Sequence, residues 1–300
     1  MKPGKISERA LLVARATLLV DATPAKRAVL LPGSAEWSQK WLDAAGPTGL
    51  FEIVMQSPLF RRLVFWLERR FTPGVLLHFF TRKRWFAQAI QDAIASGIKQ
   101  YVIIGAGLDP MAWRLKAQNP KLFCVELDQL ATQAVKAAAK GPEERLHPLL
   151  VPMDLETDYP DTVLNDVSGF DFSEPAFYII EGQLPYLPRE RVEAIISRLA
   201  KVSAPGSRLA FSFMEVHSGR PLGFRGRRWW WRLWRGCPPQ WGVDRAEITP
   251  FLSSHGWSLL RLSSRAEMRQ QLLAPLGRGL EREPLASGES LVVAEKPLIP

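Results

Sequence analysis

Residues 100–110 read Gln100-Tyr-Val-Ile-Ile-Gly-Ala-Gly-Leu-Asp-Pro110, and this stretch decides the fold class. Residues 101–104 form a short apolar run with β-branched side chains, which is typical of a strand buried on both faces. Gly105 and Gly107 permit a tight turn and let a ligand approach the backbone closely. A strand that runs into a glycine turn predicts the first unit of a nucleotide-cofactor fold.

The end of the same stretch predicts a helix and narrows the choice of ligand. Asp109 is suited to cap a helix and Pro110 to be its first residue. Pro110 also occupies the place of the third glycine in the pattern Gly-x-Gly-x-x-Gly that binds dinucleotides. The stretch therefore favours an adenosyl ligand other than a dinucleotide, and it disfavours an oxidoreductase that uses a nicotinamide cofactor.

Three later apolar runs each end in an acidic residue, namely Glu126, Asp154 and Glu181. Glu126 follows the glycines by about 20 residues, where nucleotide-cofactor folds place a ribose-binding carboxylate. Because the carboxyl ends of parallel strands meet at one edge of a sheet, these acids should line one ligand pocket. Such a pocket suits a cofactor with positive charge, and S-adenosylmethionine carries a sulfonium and an ammonium group.

The segments GAGLDPMAWRL, VELD, PMDLE and EGQLPYLP resemble the leucine carboxyl methyltransferase family, as does the upstream stretch Arg82-Lys-Arg84-Trp-Phe86. The resemblance is greatest to the family's bacterial branch, whose members are often described as O-methyltransferases of polyketide biosynthesis, and it covers residues 80–215 best. It implies an enzyme that transfers a methyl group from S-adenosylmethionine to an oxygen atom.

The resemblance also implies roles for eight residues at the cofactor. Arg82 would pair with the methionine carboxylate, Gly105 and Gly107 would line the methionine moiety, and Glu181 would lie near its ammonium group. The residues implied at the adenosine end are Glu126 and Asp128 for the ribose hydroxyls, and Asp154 and the Leu155 amide for the adenine. No residue is predicted to be catalytic.

Strands that alternate with helices predict an α/β fold with a doubly wound, mostly parallel sheet. Seven strands are expected, in the Rossmann-like arrangement of class I methyltransferases that the resemblance implies, with one antiparallel strand at the edge. Residues 1–80 are predicted to be an N-terminal helical extension and residues 81–300 the methyltransferase domain. An apolar stretch at residues 10–20 is too short to span a membrane and is expected to be a packed helix.

Residues 223–236 interleave arginine with tryptophan, and residues 219–241 are predicted to form a lid inserted after the fifth strand. Aromatic residues in such a lid would form part of the acceptor pocket. A membrane-surface contact through Trp229–Trp234 stays open, whereas nucleic-acid binding is not expected. The formal charge of +9 does not decide between these alternatives, although it favours anionic substrates.

The two cysteines, Cys124 and Cys237, indicate neither a disulfide framework nor a metal site, so a cytoplasmic location is expected. The favoured acceptor is a carboxylate of a small polyketide-like molecule or a peptide, because a carboxylate is ionised at neutral pH and needs no general base. A phenol or alcohol would need a base, and His217 is the residue considered for it. A non-catalytic binding protein on the same scaffold is the remaining alternative.

Overall fold

The computed structural model describes residues 6–46, 54, 57–141, 146–217, 220–221 and 239–298. The α-helices are α1 (Glu8–Asp21), α2 (Ser34–Ala44), α3 (Pro58–Phe71), α4 (Val75–Ala95), α5 (Met111–Gln118), α6 (Leu130–Ala138), α7 (Pro160–Asn165), α8 (Arg189–Val202), α9 (Ile248–Ser254) and α10 (Arg265–Glu267). The strands are β1 (Gln100–Ile104), β2 (Phe123–Asp128), β3 (Leu149–Pro152), β4 (Ala176–Ile180), β5 (Arg208–His217), β6 (Arg220–Pro221), β7 (Gly242–Val243), β8 (Ser258–Leu262) and β9 (Glu289–Glu295).

Seven of these strands form the body of one sheet in the order β3-β2-β1-β4-β5-β9-β8. Strands β1 to β5 pair in parallel, and β9 runs antiparallel to both of its neighbours. The two-residue strands β6 and β7 both pair with the far end of the long strand β5. The predicted α/β fold with a mostly parallel seven-stranded sheet is therefore confirmed.

The sequence predicts an antiparallel strand at the edge of the sheet, and this prediction is wrong. Strand β9 inserts between β5 and β8, so β8 is the edge strand. A helical stretch also joins β8 to β9, because α10 continues through a π-helical turn at Met268–Leu273 and a 3-10 turn at Ala274–Leu276. This connection carries the chain far enough for β9 to return between two strands.

Helices cover both faces of the sheet, which makes it doubly wound. Along β1, Tyr101 and Ile103 pack into one apolar core together with α4 and α5. Val102 and Ile104 alternate to the opposite core, which is closed by α7, α8 and α9. This alternation is the two-residue period of a strand buried on both faces, as predicted from the sequence.

The N-terminal helices pack against the sheet's own helices rather than forming a separate body. Trp41 of α2 and Trp113 of α5 lie edge to face with ring centroids 5.7 Å apart, and both side chains are buried. Ala14 of α1 belongs to the same apolar cluster. The predicted packed helix at residues 10–20 corresponds to α1. A domain boundary at residue 80 falls inside the continuous helix α4, so residues 75–80 belong to the helix that reaches the site.

Part of the predicted lid belongs to the core of the domain. Trp241 is buried and packs against Phe211 and Phe251, and residues 220–221 form β6. These positions are therefore fixed by the sheet and do not act as a lid. Residues 219 and 222–238, which include Trp229–Trp234, lie outside the described residues. In the described ranges, no helix is both long and apolar enough to cross a membrane.

Candidate active site

A cavity of about 310 Å³ opens at the carboxyl ends of β1, β2, β3 and β4. Strand β1 pairs with β2 on one side and with β4 on the other, so the direction in which the chain adds strands to the sheet reverses at β1. Ligands of open α/β sheets bind at such a reversal. Of the eight predicted cofactor residues, the cavity is lined by Arg82, Gly105, Gly107, Asp128, Asp154, Leu155 and Glu181.

The glycine turn after β1 forms the floor of the cavity. Gly105 has a φ of +69° and Gly107 a φ of +54°, both in the left-handed region that glycine adopts without strain. A Cβ atom at position 105 would lie 2.4 Å from Cγ of Gln183, whose Nε2 donates to the Gly105 carbonyl at 3.0 Å. The turn therefore requires glycine at 105 for space as well as for conformation.

Arg82 of α4 is held by two carboxylates at the edge of the cavity. Its Nε donates to Oε1 of Glu181 at 2.9 Å, and its Nη1 donates to Oε1 of Glu289 at 2.7 Å. His78, one turn earlier on α4, contacts the second oxygen of Glu289 through Nε2 at 2.8 Å. Gly182 leaves room for the guanidinium, because a Cβ there would lie 3.2 Å from Nη2.

Lys83 extends this buried ion-pair network toward the glycine turn. Its ammonium group pairs with Asp109 and lies 3.3 Å from Oε1 of Glu181. The other oxygen of Asp109 accepts the Met111 amide at 2.7 Å, so Asp109 caps α5 while Pro110 occupies the N-cap position itself. Asp109 therefore caps the helix as predicted, but the helix begins at Met111, so the prediction that Pro110 is its first residue is wrong.

The charges of the network shift the pKa values of its members. Burial alone would raise the pKa of Glu289, but the charge of Arg82 and the contact with His78 outweigh burial and lower it to about 2. Burial would lower the pKa of Lys83, but Asp109 and Glu181 raise it. Both groups are therefore ionised at neutral pH, so the cavity wall carries the negative charge of Glu289 and the positive charge of Lys83.

Asp128 is the acid that reaches the cavity from the end of β2. One oxygen accepts the amide of Gly107 and the other accepts the amide of Gln129 at 2.6 Å. Burial raises the pKa of Asp128, and the hydrogen bond from Gly107 opposes that rise. The carboxylate thus joins β2 to the glycine turn at the place where a ribose-binding acid is expected.

Glu126 does not line the cavity, in contrast to the prediction that it holds the ribose. Its side chain is 0% exposed and pairs with Nζ of Lys136 on α6 at 2.7 Å, which is also 0% exposed. Burial raises the pKa of Glu126 to about 7 against the opposing charge of Lys136. Glu126 is therefore a structural partner of Lys136 beneath the site.

Asp154 and Leu155 lie in the turn after β3 and line the far end of the cavity. Oδ1 of Asp154 accepts the amide of Glu156 at 3.0 Å, and its Oδ2 lies 3.4 Å from Nε2 of Gln129. None of the described residues accepts a hydrogen bond from the Leu155 amide. One carboxylate and one available N–H group therefore stand side by side, as the prediction of an adenine-reading pair requires.

Helices α1 and α3 form the roof of the cavity. Arg9 of α1 places its guanidinium carbon 4.2 Å from the ring centre of Tyr186, and both residues line the cavity. From α3, the side chains of Phe60, Val64 and Leu67 contribute to the wall. The side chain of His217, the residue considered as a general base, lies outside the described residues.

Sequence reasoning missed Lys83, Gln183 and Glu289, each of which lines the cavity. Lys83 lies in the stretch 82–86 and Gln183 in the segment EGQLPYLP, both of which carry the family resemblance, so their positions in these motifs were the available signal. Glu289 had no such signal, because it begins the last strand more than a hundred residues beyond the other acids. Only the insertion of β9 beside β5 brings it to Arg82.

The residues present fit S-adenosylmethionine. Among the described residues, none accepts from Nη2 of Arg82 and none donates to Oε2 of Glu181. An unused cationic donor and an unused carboxylate oxygen therefore stand together, and they complement the carboxylate and ammonium of an amino acid. Asp128, Asp154 and the Leu155 amide offer the acceptors and the donor that a nucleoside needs. Arg82, Asp128 and Leu155 would thus hold three different parts of the cofactor.

The fold is that of a class I methyltransferase. The structure is similar to a DUF574 family protein from Streptomyces avermitilis, with a TM-score of 0.57 and 20% identity over 86% of this chain and 95% of that one. It is also similar to a candidate methyltransferase from Thermobifida fusca, with a TM-score of 0.50 and 18% identity over 98% and 96% of the two chains.

Sequence comparison gives the family. The family model for leucine carboxyl methyltransferase matches residues 56–200. A candidate S-adenosyl-L-methionine-dependent methyltransferase of Mycobacterium tuberculosis is 31% identical over 249 residues, 79% of this chain and 74% of the relative. One of Mycobacteroides abscessus is 39% identical over 131 residues, 43% and 41% of the two chains. The chain belongs to the leucine carboxyl methyltransferase family, and it is an S-adenosylmethionine-dependent methyltransferase.

Proposed function

We propose that this enzyme transfers the methyl group to a carboxylate oxygen of a small molecule with an apolar body. The observation that carries the proposal is an unsatisfied hydrogen-bond donor of Arg9 at the cavity. Nη1 of Arg9 is buried, none of the described residues accepts a hydrogen bond from it, and the side chain lines the cavity. A buried N–H group that has no hydrogen-bond acceptor costs free energy even where the guanidinium also contacts a ring, as Arg9 contacts Tyr186, and the carboxylate of an acceptor would supply the missing hydrogen bond.

The rest of the roof supports an acceptor with an apolar body. Outside the ion-pair network the wall is mainly aliphatic and aromatic, and its members are Leu12, Val13, Ala16, Leu19, Phe60, Val64, Leu67, Leu76 and Phe79. An apolar wall stabilises bound hydrocarbon by roughly 25 cal/mol per Å² of apolar surface removed from water. A polyketide-like acid fits this lining, and so does a peptide with an apolar C-terminal residue.

The chemistry that the residues would perform is mainly positioning. When bound, the cofactor supplies an electrophilic methyl group on a sulfonium. Arg9 would hold the acceptor carboxylate, which is ionised at neutral pH and needs no proton removed. Arg82 would hold the methionine part of the cofactor and Asp128 its ribose, so that the residues around the cavity would orient the acceptor oxygen toward the methyl group. Such positioning supplies about 7–11 kcal/mol of barrier reduction.

The acceptor class is tested with cofactor labelled on its methyl group and a panel of carboxylic acids and phenols. A methyl ester releases volatile labelled methanol in mild base, whereas a methyl ether keeps the label. We expect release of labelled methanol. We also expect Arg9→Met to raise KM for the acid without changing cofactor affinity, and Arg9→Lys to raise this KM less than Arg9→Met does. Product label that resists alkali would refute carboxyl methylation.

Methylation of a phenol or alcohol is the second candidate function. The observation that favours it is the raised pKa of Glu68 at the cavity wall. The Glu68 side chain lines the cavity from α3, and burial raises its pKa against the hydrogen bond that it accepts from Leu76. A carboxylate with a raised pKa is a better general base for a hydroxyl proton. If the label proves stable to alkali, Glu68→Gln should lower kcat with little change in cofactor affinity.

A further inference from the structure

Helix α3 carries an apolar stripe that faces solvent. Leu59 is 74% exposed, Leu63 is 50% exposed and Trp66 is 61% exposed, at positions i, i+4 and i+7 of one helix face. No residue of α3 is buried. A helix of a globular protein normally turns such a stripe toward a core, so three large exposed apolar side chains in a row indicate a surface that something covers.

Basic residues share this exposed face. Arg62 lies beside Leu63, while Arg69 and Arg70 follow Trp66 by one turn, and all three arginines are exposed. The acid of the helix, Glu68, is turned inward to the cavity. We define the outer face of α3 as Leu59, Arg62, Leu63, Trp66, Arg69 and Arg70. This face therefore combines apolar side chains with positive charge alone.

We propose that the outer face of α3 docks on the surface of an anionic lipid membrane. Leucine and tryptophan side chains partition into the boundary between headgroups and acyl chains, and arginines beside them pair with anionic headgroups. The helix would lie in the plane of the surface and would not enter the hydrocarbon core, since its other side belongs to the protein.

Two other occupants fit the face less well. In a twofold dimer, the same patch of both copies would meet, and Arg62, Arg69 and Arg70 of each copy would lie close to those of the other. Like charges without an acid between them oppose that contact. A nucleic acid would use the arginines and Trp66, but aliphatic side chains such as Leu59 and Leu63 offer no plane for base stacking.

The opposite side of the same helix lines the cavity through Phe60, Val64 and Leu67. A membrane on the outer face would thus lie about 10 Å, one helix diameter, from the acceptor space. If the proposed function is right, an acceptor with an apolar body could then reach the cavity from the membrane. The docking proposal itself does not depend on the acceptor, because it rests on the outer face alone.

The test is sedimentation of the full chain with vesicles of phosphatidylcholine, alone or mixed with phosphatidylglycerol. We expect binding to the anionic vesicles that weakens with salt. The variant Leu59→Gln/Leu63→Gln/Trp66→Gln should lose most of this binding. Arg62→Gln/Arg69→Gln/Arg70→Gln should lower the partition coefficient about fivefold per arginine, the equivalent of ~1 kcal/mol each.

A matched control replaces three exposed leucines elsewhere, namely Leu130, Leu149 and Leu260, by glutamine. The control should bind vesicles like the wild type, and all variants should keep the wild-type melting shift with S-adenosylmethionine. Vesicle binding that both α3 variants retain would overturn the proposal and assign it to another segment, such as residues 223–236. No vesicle binding by the wild type would also overturn the proposal. A wild-type dimer that Leu59→Gln/Leu63→Gln/Trp66→Gln converts to a monomer would overturn it as well.

Discussion

Arg82 and Glu289 are 207 positions apart in the chain, and Nη1 of Arg82 donates to both carboxylate oxygens of Glu289, at 2.7 and 3.0 Å. The pair joins helix α4 to the first residue of the last strand, directly beside the cavity. Because Nε of Arg82 is held by Glu181, the guanidinium is fixed in one orientation. The last strand thus contributes to the wall of the cavity, although its sequence resembles no cofactor motif.

Glu289→Gln should destabilise the protein strongly. Removing one charge of a buried ion pair leaves the other uncompensated and costs about 3–5 kcal/mol of the free energy of unfolding. Glu193→Gln is the matched control, because its partner Arg189 is largely exposed and the pair should contribute less than about 1 kcal/mol. Urea denaturation measures both. Equal effects in the two variants would show that the Arg82–Glu289 pair has no special role.

The pH dependence of stability should carry the signature of Glu289. Its folded pKa of about 2 lies below the ordinary value of 4.5, so its contribution is present above pH 4.5 and is lost as the pH falls toward 2. The free energy of unfolding of the wild type should therefore fall over this window. In Glu289→Gln the fall should be smaller by the share of that one carboxyl, as denaturation at a series of pH values would reveal.

Asp128, and not Glu126, should determine cofactor affinity at the end of β2. Asp128→Asn should weaken S-adenosylmethionine binding by about 1–3 kcal/mol, because a donor of the cofactor loses its charged acceptor. Glu126→Gln should leave that affinity nearly unchanged while it lowers stability, since Glu126 contacts Lys136 beneath the site. Isothermal titration of folded variants distinguishes the two, and the reverse result would restore Glu126 as the ribose residue.

Alanine should be tolerated less well at Gly105 than at Gly107. Both positions have positive φ, so both substitutions incur about 1–2 kcal/mol of left-handed backbone strain. Only at 105 does the new Cβ displace Gln183, since at 107 the nearest atom would be 3.6 Å away. The loss of the Gln183 hydrogen bond should add about 1 kcal/mol. In the background Gln183→Ala, the difference between the two glycine variants should disappear from thermal unfolding.

S-adenosylmethionine and its demethylated product should both stabilise the protein against heat, and NAD should not. A ligand at 100 times its Kd stabilises the native state by about 2.7 kcal/mol. Differential scanning fluorimetry with the three compounds makes the comparison, and Arg82→Met should reduce the shift with both adenosyl compounds. A shift with NAD alone would contradict the cofactor that the family membership gives.

Much of the fold was predictable because its signals are local. The alternation of residues 101–104, the glycines of the turn and the acids that follow strands each depend on a few neighbouring residues. For the same reason the cavity at the carboxyl edge, and the placement of Asp154 and Glu181 on it, could be expected from residue order, whereas the place of Arg82 was expected only from the family resemblance. Parallel strands impose that common edge whatever the rest of the chain does.

Tertiary structure decided that Asp128 lines the cavity and that Glu126 does not. Both belong to β2, but the buried side chain of Glu126 pairs with Lys136 of α6, and the strand pattern carries no information about that lysine. Glu289 arrives at Arg82 because β9 inserts between β5 and β8, and the roof forms because α1 and α3 pack over the turn. These contacts join residues far apart in the chain, so they depend on how whole elements pack, whereas the strand, turn and acid signals depend on neighbours alone.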